Sequence, residues 1–564
     1  MVEYLRQMSE LVADSSDPEQ ATQALSAIVT EIKGKEALIA TDQKLSKVLE
    51  KLIESDGASS AVITALFSQL NSCAVDLVYD QYGSHVFESL LKSAGRVELG
   101  SELSKITSEF SEFLAANMCD IVADRRATFV LRTALVVFGG FETPSEGDYL
   151  ENIKKLCSEG KVSSSFSVLI DGLCNLSDSE IEELAESPHS SVTLQTALIL
   201  ASKTDYVESG NRLADRMFLK AGDKSIDCER LARFLNEDSS SKSKLVEVAI
   251  GAASSSIPSQ LLEEYIAASR DDFYDCKFSF AFLQAVIPTV IDEKGGTVLF
   301  TEILSAEGIV ECVKRGKNHG IGVLQKTADL LVSRFHAFQQ TFINKVLAAA
   351  RAETQHVWMT FLSLHPSMFE AAAPSDNMAM IEESKITPQG CLFLSTVFRF
   401  KVTAIQPLLS YAKPLIEHIR SVQLEKSKFF TDIGPGRMLQ TLISPPCAFP
   451  TSIKMKIVRN LMLNETAPER LEKLVADRKV GSWIVTTAWD SADVQTKALL
   501  GEKLVAIDGL RDSNWKVWKH CSLASFSRRN DEWTMVETRK LKAKNLLKDI
   551  VGDYAPDVKK KIRR

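Results

Sequence analysis

Two stretches of the chain carry side chains in an order that suits recognition of a nucleic-acid base. They are Asp80-Gln-Tyr-Gly-Ser-His-Val-Phe-Glu-Ser-Leu-Leu91 and Asp124-Arg-Arg-Ala-Thr-Phe-Val-Leu-Arg-Thr-Ala-Leu135. Counting the Asp as zero, offsets 4, 5 and 8 hold Ser84, His85 and Glu88 in the first and Thr128, Phe129 and Arg132 in the second. Offsets 4 and 8 lie one helical turn apart on one face, so each stretch is expected to present two hydrogen-bonding side chains flanking a planar one. The polar pair can address the Watson–Crick edge of a single-stranded base while the planar group stacks on it.

Similar residues recur at the same offsets further along. They are Ser191 and Gln195, then Gln284, Gln325 and His356, then Gly436, Arg437 and Gln440, then Ser482, Trp483 and Thr486, and last Lys516 and His520. Other units place Ile170, Val192, Val246, Met359, Leu392 or Val517 there, which offer nothing to a base edge. The expected recognition is therefore patchy, with Arg132, Arg437 and Lys516 also available to phosphates.

These residues need helices to position them. Offsets 6, 7, 10 and 11 form one apolar stripe at 3.6 residues per turn. Seven complete examples are Val86/Phe87/Leu90/Leu91, Val130/Leu131/Ala134/Leu135, Phe282/Leu283/Val286/Ile287, Val357/Trp358/Phe361/Leu362, Phe393/Leu394/Val397/Phe398, Met438/Leu439/Leu442/Ile443 and Ile484/Val485/Ala488/Trp489. With weaker versions, units start at 80, 124, 162, 187, 238, 276, 317, 351, 387, 432, 478 and 512, about 39 residues apart, a period typical of helical repeats. The units at 238 and 512 have degenerate stripes. Second helical patterns such as Glu180–Glu186 and Glu469–Ala476 lie between stripes, and no alternating run is long enough to build a sheet. The fold class is all-α, an α-solenoid whose units must stack to bury their apolar faces.

Composition agrees. The 564 residues are 45% hydrophobic and 25% charged, which excludes disorder and a small disulfide-stapled fold. Net charge is -8, but residues 511–564 hold 15 Lys/Arg against 7 Asp/Glu, so a body of -16 ends in a segment of +8. Arg539–Lys544 and Lys559–Arg564 suit a nuclear address or phosphate contacts. Trp515, Trp518 and Trp533 are expected to cap the solenoid core. The ten cysteines show no CxxC pair and read as buried small hydrophobes in a reducing compartment. The start, MVEYLRQMSE, lacks a signal-peptide pattern, and no apolar run reaches membrane-spanning length. No nucleotide-binding, metalloprotease or serine-hydrolase motif is present, so no catalytic residue, metal site or cofactor is expected.

The pattern Asp-x-x-Gly-Ser-His-Val-Phe-Glu, recurring at roughly forty residues, resembles the pumilio (PUF) repeat, and is most similar to its divergent nucleolar protein nine subgroup. The resemblance runs from about Ser72 to Trp533, and Val480–Trp489, Leu510–His520 and Ser525–Trp533 carry it besides Asp80–Leu91. It implies about eleven pumilio-like three-helix repeats in a curved or U-shaped array, with offsets 4, 5 and 8 reading one RNA base per unit. It implies that Ser with Glu favours guanine and that Ser or Thr with Arg favours cytosine. It also implies a non-catalytic monomer of the nucleolus or nucleus. That monomer would bind pre-rRNA near the 3′ end of the small-subunit rRNA, among pre-ribosomal particle proteins and away from membranes, and would control processing by steric protection. The expected divisions are an N-terminal helical cap over 1–71, repeats over 72–330 and 331–534, and a basic tail over 535–564. A HEAT- or armadillo-like protein scaffold with an acidic docking surface is the other reading.

Overall fold

The structure is a computed structural model. It describes residue 7 and residues 18–551, apart from 56–57, 98–99, 145–147, 157–161, 237–239, 316, 351–356, 370–380 and 465–468. Among the described residues every extended element is a helix; the one β feature is an isolated bridge between Leu219 and Ile226. None of these helices is long and apolar enough to cross a membrane. The chain forms two compact units, 1–298 and 299–564.

Each unit is a stack of three-helix repeats whose third helices follow one another in a row. In the first unit these are α1 (Leu45–Glu54), α2 (Gly83–Ala94), α3 (Ala127–Phe138), α4 (Pro188–Ala201), α5 (Ser240–Ala252) and α6 (Ser279–Val286). In the second they are α7 (Lys317–Ser333), α8 (Pro388–Val397), α9 (Ile433–Ile443), α10 (Gly481–Ser491) and α11 (Trp515–His520). Within each unit every third helix packs on the next. We number the repeats 1 to 11 after them.

The apolar stripe makes the stack. All four positions of all seven stripes named from the sequence are buried, and each Leu, Ile or Phe so removed from water contributes about 1.5–3 kcal/mol. The Asp that opens a unit starts the third helix. Asp80 Oδ1 accepts the backbone N–H groups of Tyr82 and Gly83, both at 2.8 Å. Asp124 does the same for Arg126 and Ala127, and Asp42 for Lys44 and Leu45. These bonds satisfy donors that a helix start leaves without partners. Glycine follows at offset 3 where the third helix rests on the helix before it: a Cβ on Gly83 would lie 2.8 Å from the Leu77 carbonyl oxygen, and Gly320, Gly390 and Gly481 meet backbone in the same way.

The structure corrects the repeat boundaries in three ways. First, the stripe starting at 162 belongs to Ser164–Cys174, which is the first helix of repeat 4; it packs on Ser101–Ala116, the first helix of repeat 3, while α3 contacts α4 directly. Likewise Val357–Ser363 precedes α8 and packs on it, while α7 contacts α8. Outer helices of a solenoid also bury one face, so a stripe does not by itself mark a third helix. Second, residues 18–54 hold a full repeat, Pro18–Glu31, Glu36–Thr41 and α1, where a cap was expected. Third, the degenerate units are displaced by one residue. In α5 the buried stripe is Leu245/Val246/Ala249/Ile250, and in α11 Val517 and Cys521 are buried while Lys516 is exposed.

The tryptophans divide. Trp533 is buried 5.7 Å from Trp489 and 5.0 Å from Phe526, closing the core. Trp515 is 53% exposed and takes no part in that cap, and Trp518 is half-buried. Of the nine described cysteines five are buried and four half-buried, all as free thiols. Burial pushes Cys312, Cys391 and Cys521 up to about 12, which leaves them as protonated core residues.

Candidate nucleic-acid interface

The helical angle decides which offsets face outward. At about 100° per residue, offset 5 points about 170° from the stripe centre, offset 8 about 130° and offset 4 only about 90°. The row obeys this order. Offset 5 is exposed at His85, Phe129, Leu392, Arg437 and Trp483. Offset 8 is half-buried at Glu88, Gln284, Gln325, Gln440 and Thr486, and fully buried at Arg132 and Gln195.

Offset 4 is buried at Ser84, Thr128, Ser191, Gly436 and Ser482. The expectation of a polar pair flanking an exposed planar group is therefore corrected: one member of each pair sits on the flank of the stripe, within about 20° of offset 11. Three of these hydroxyls are bonded inside the fold. Thr128 donates to the Arg125 carbonyl at 3.2 Å, Ser191 to the Ser241 carbonyl at 2.9 Å, and Ser482 to the Asp477 carbonyl at 2.7 Å.

In the first unit, His85 Nδ1 lies 3.2 Å from Glu88 Oε1. That carboxylate raises the His85 pKa above the usual 6.5 against the opposing effect of burial. Arg132 is 8% exposed and its Nε donates to the Thr128 carbonyl at 3.4 Å. Its guanidinium carbon lies 4.2 Å from the Phe129 ring centre and 5.1 Å from that of Tyr149. No carboxylate among the described residues is within ion-pair distance of it, and burial lowers its pKa against the more distant charge of Glu88. The phosphate contact expected of Arg132 thus falls on a guanidinium that is framed by two rings and exposed only at its rim. Gln195 Nε2 donates to Ser191 Oγ at 3.0 Å, and Gln284 Nε2 to the Phe280 carbonyl at 3.4 Å.

In the second unit more of the polar groups are bonded to protein. Gln325 Nε2 donates to Thr396 Oγ1 at 2.8 Å and Asp329 Oδ1 at 3.2 Å, and its Oε1 is buried without a partner. Gln440 donates to Thr487 at 2.8 Å, Thr486 to the Ser482 carbonyl at 3.1 Å, and Asn514 to Ser482 at 2.7 Å. His520 Nε2 lies 3.0 Å from Asp490 Oδ1. The open groups are Arg437, whose guanidinium carbon lies 5.6 Å from the exposed Trp483 ring, and the exposed Trp515 and Lys516. His356 lies outside the described residues, as does Lys559–Arg564 of the basic end.

Two further triplets share the pattern, the first of them followed by the complete stripe Val48/Leu49/Leu52/Ile53. In Asp42-Gln-Lys-Leu-Ser-Lys-Val-Leu-Glu-Lys-Leu-Ile53, Ser46, Lys47 and Glu50 occupy the places of Ser84, His85 and Glu88, and the shared Asp-Gln start was the signal. In α5 the corrected register gives Ser243, Lys244 and Glu247. Ser46 and Ser243 are buried, Lys47 and Lys244 exposed, and Glu50 and Glu247 half-buried, as the helical angle requires. Burial raises the pKa of both glutamates. Among the described residues no group of three or more His, Cys, Asp or Glu is placed to hold a metal ion.

The NOP9-like PUF repeat domain matches residues 34–514, a span that opens inside repeat 1 and ends just before the third helix of repeat 11. The chain belongs to the NOP9-like PUF repeat family. PUF proteins are RNA-binding and non-enzymatic, which sets aside the protein-scaffold reading. The chain is 21% identical over 475 residues to Pumilio homolog 23 of Arabidopsis thaliana, covering 76% of this chain and 59% of that protein. It is 34% identical over 102 residues to Nucleolar protein 9 of Eremothecium gossypii, covering 17% and 14%. The chain thus spans less than two thirds of the length of these relatives. Among solved structures, APUM23 with the RNA GGAAUUGACGG superposes with a TM-score of 0.73 at 19% identity, covering 95% of this chain and 98% of that one, and so shares the solenoid fold.

Proposed function

We propose that this PUF protein binds single-stranded pre-rRNA near the 3′ end of the small-subunit rRNA, in the nucleolus, and controls its processing by steric protection. The name of its relative Nucleolar protein 9 supports the setting. The observation that carries the RNA reading is the order of offset-8 side chains in repeats 1 to 5: Glu50, Glu88, Arg132, Gln195 and Glu247, each following a Ser or Thr at offset 4.

Base edges give this order a meaning. A carboxylate accepts two parallel N–H bonds, which the guanine Watson–Crick edge supplies. A guanidinium donates two, which cytosine N3 and O2 accept, and an amide donates one and accepts one, as both adenine and uracil require. In chain order the five repeats therefore spell G, G, C, A or U, G, and A is the choice taken here. Read from its 3′ end, the RNA in the APUM23 structure begins G, G, C, A, G. The opposite orientation agrees at the first two bases and fails at the third. The N-terminal repeats of this chain accordingly take the 3′ end of 5′-GACGG-3′.

Fluorescence anisotropy of the full chain with labelled GGAAUUGACGG, and with an RNA whose last five bases are scrambled, tests this. We expect affinity that falls with salt for both and scrambling that costs at least about 100-fold, since each mismatch costs about 1–3 kcal/mol. Equal affinity for the two RNAs would sink the base assignment, and no salt-dependent binding of either would sink the RNA reading itself.

A further inference from the structure

A short helix, Tyr149–Lys155, stands between the third helix of repeat 3 and the first helix of repeat 4, outside the three-helix plan of either. It packs on α4. Its first residue is held by a local cap, Asp148 accepting the Glu151 N–H at 3.2 Å. The helix brings the Tyr149 ring to 5.1 Å from the Arg132 guanidinium carbon, which also lies 4.2 Å from the Phe129 ring. Arg132 has five N–H donors, and its one hydrogen bond in the fold comes from Nε, to the Thr128 carbonyl. The two terminal nitrogens are the edge that a base with two adjacent acceptors would meet.

The buried Tyr149 hydroxyl lies beside Thr196, whose own hydroxyl donates to the Val192 carbonyl. Two further features of Tyr149 are those of a group placed for its ring. The nearest cation is the one cation of repeats 1 to 5 that stands at offset 8. A buried guanidinium with no carboxylate partner needs compensation, and two aromatic faces supply it while leaving the donor edge free, which an acidic partner would not.

We propose that Tyr149 is a specificity-determining positioning residue. Its ring, with that of Phe129, holds the Arg132 guanidinium so that its terminal N–H pair addresses cytosine and no other base in repeat 3. Tyr149 acts through Arg132 and does not itself read the base. The proposal rests on the base assignment above, and it says why this repeat carries an added helix: an arginine at offset 8 has more side-chain freedom than a glutamate or glutamine and needs a second wall.

The test uses the full chain with GGAAUUGACGG and the same RNA with its cytosine replaced by uracil, whose N3 is a donor where cytosine has an acceptor. The readout is the ratio of the two affinities. In the wild type we expect cytosine to be favoured by at least about 10-fold. Tyr149→Leu, which keeps apolar volume but removes the ring face, is expected to cut that ratio about 5-fold or more while leaving binding of the uracil RNA near its wild-type value. Tyr149→Phe keeps the ring and is expected to restore the ratio in full. Arg132→Gln separates the two levels of the argument. If it leaves the ratio intact, the cytosine assignment fails and this proposal with it. If Arg132→Gln abolishes the ratio and Tyr149→Leu does not change it, this proposal alone is overturned. Tighter binding of both RNAs by Tyr149→Leu would make Tyr149 a plug over the site and overturn it equally. Equal unfolding midpoints for Tyr149→Leu and Tyr149→Phe would show that the ratio reports positioning, and a ratio lost in both variants would assign the effect to packing and count against the proposal.

Discussion

The third-helix rows of the two units are built alike and equipped differently. In repeats 1 to 5 a small hydroxyl at offset 4 stands beside a charged or amide group at offset 8 in every case, and the offset-8 residues are of three types, Glu, Arg and Gln. In the second unit the corresponding places hold Ile321 with Gln325, Cys391 with Ser395, Gly436 with Gln440 and Ser482 with Thr486, and the amides among them are tied to Thr396, Asp329 and Thr487. Besides Leu392, the exposed groups there are flat or charged: Arg437, Trp483, Trp515 and Lys516. Under the proposed function, one scaffold would hold a strand in two ways, by edges in the first unit and by faces and charge in the second. The outward angle of the helix is common to both; only the residue types differ.

The largest effect should come from erasing the edges. The double change Glu88→Ala with Arg132→Ala is expected to reduce the preference for GGAAUUGACGG over a scrambled RNA by about 100-fold, because each lost edge is worth about 1–3 kcal/mol. Competition anisotropy measures this, and an unchanged preference would place the edges elsewhere. Next, Trp483→Ala should weaken matched and mismatched RNA alike by about 10-fold, since stacking tolerates any base and is worth about 1–3 kcal/mol. A selective loss for one RNA would erase the contrast between the units. A smaller change is expected for Lys516→Ala: the slope of log affinity against log salt becomes shallower by about 0.7, the share of one phosphate contact to a single strand.

The smallest effects are in the titrations of the first unit. His85 should titrate above 6.5 by NMR, and Glu88→Gln should bring it back down. The stability contributed by this pair is complete below the unfolded pKa and is lost as pH rises through the folded one. Glu50 works in the opposite sense. Burial raises its pKa above 4.5, so its charge costs stability as pH rises through the folded value. Glu50→Gln is therefore expected to raise the unfolding midpoint slightly at pH 7 and to have no effect well below pH 4.5. A drop in the midpoint at pH 7 would contradict burial as the cause.

Much of this was legible in the sequence, for identifiable reasons. A complete stripe such as Phe393/Leu394/Val397/Phe398 is a direct record of burial, and all seven stripes named from the sequence are buried. The stripe could not tell Ser164–Cys174, a first helix, from a third helix, because both bury one face against neighbours. Repeat 1 carries the same Asp-Gln start and the stripe Val48/Leu49/Leu52/Ile53, but Lys44 and Leu45 stand where Tyr82 and Gly83 mark the turn of repeat 2. At the site, the types at offsets 5 and 8 were legible and the depth of offset 4 was not. Ser84 and Ser191 look like surface residues by type, and only their angle to the stripe puts them inside. Tyr149 was invisible for a different reason: it meets Arg132 from a separate helix, and nothing in its spacing joins the two.

The burial of offset 4 bears on how such a protein can change its preferences. A position wedged between helices tolerates few shapes, so a substitution there trades folding against selectivity. Offsets 5 and 8 carry no such burden in most repeats. A lineage, or a designer, can then rewrite the bases read by altering offset 8 alone, one repeat at a time, while the small buried residue beneath stays as it is. Repeat 3 is the exception, since a new residue at position 132 would also have to suit the ring that already waits beside it.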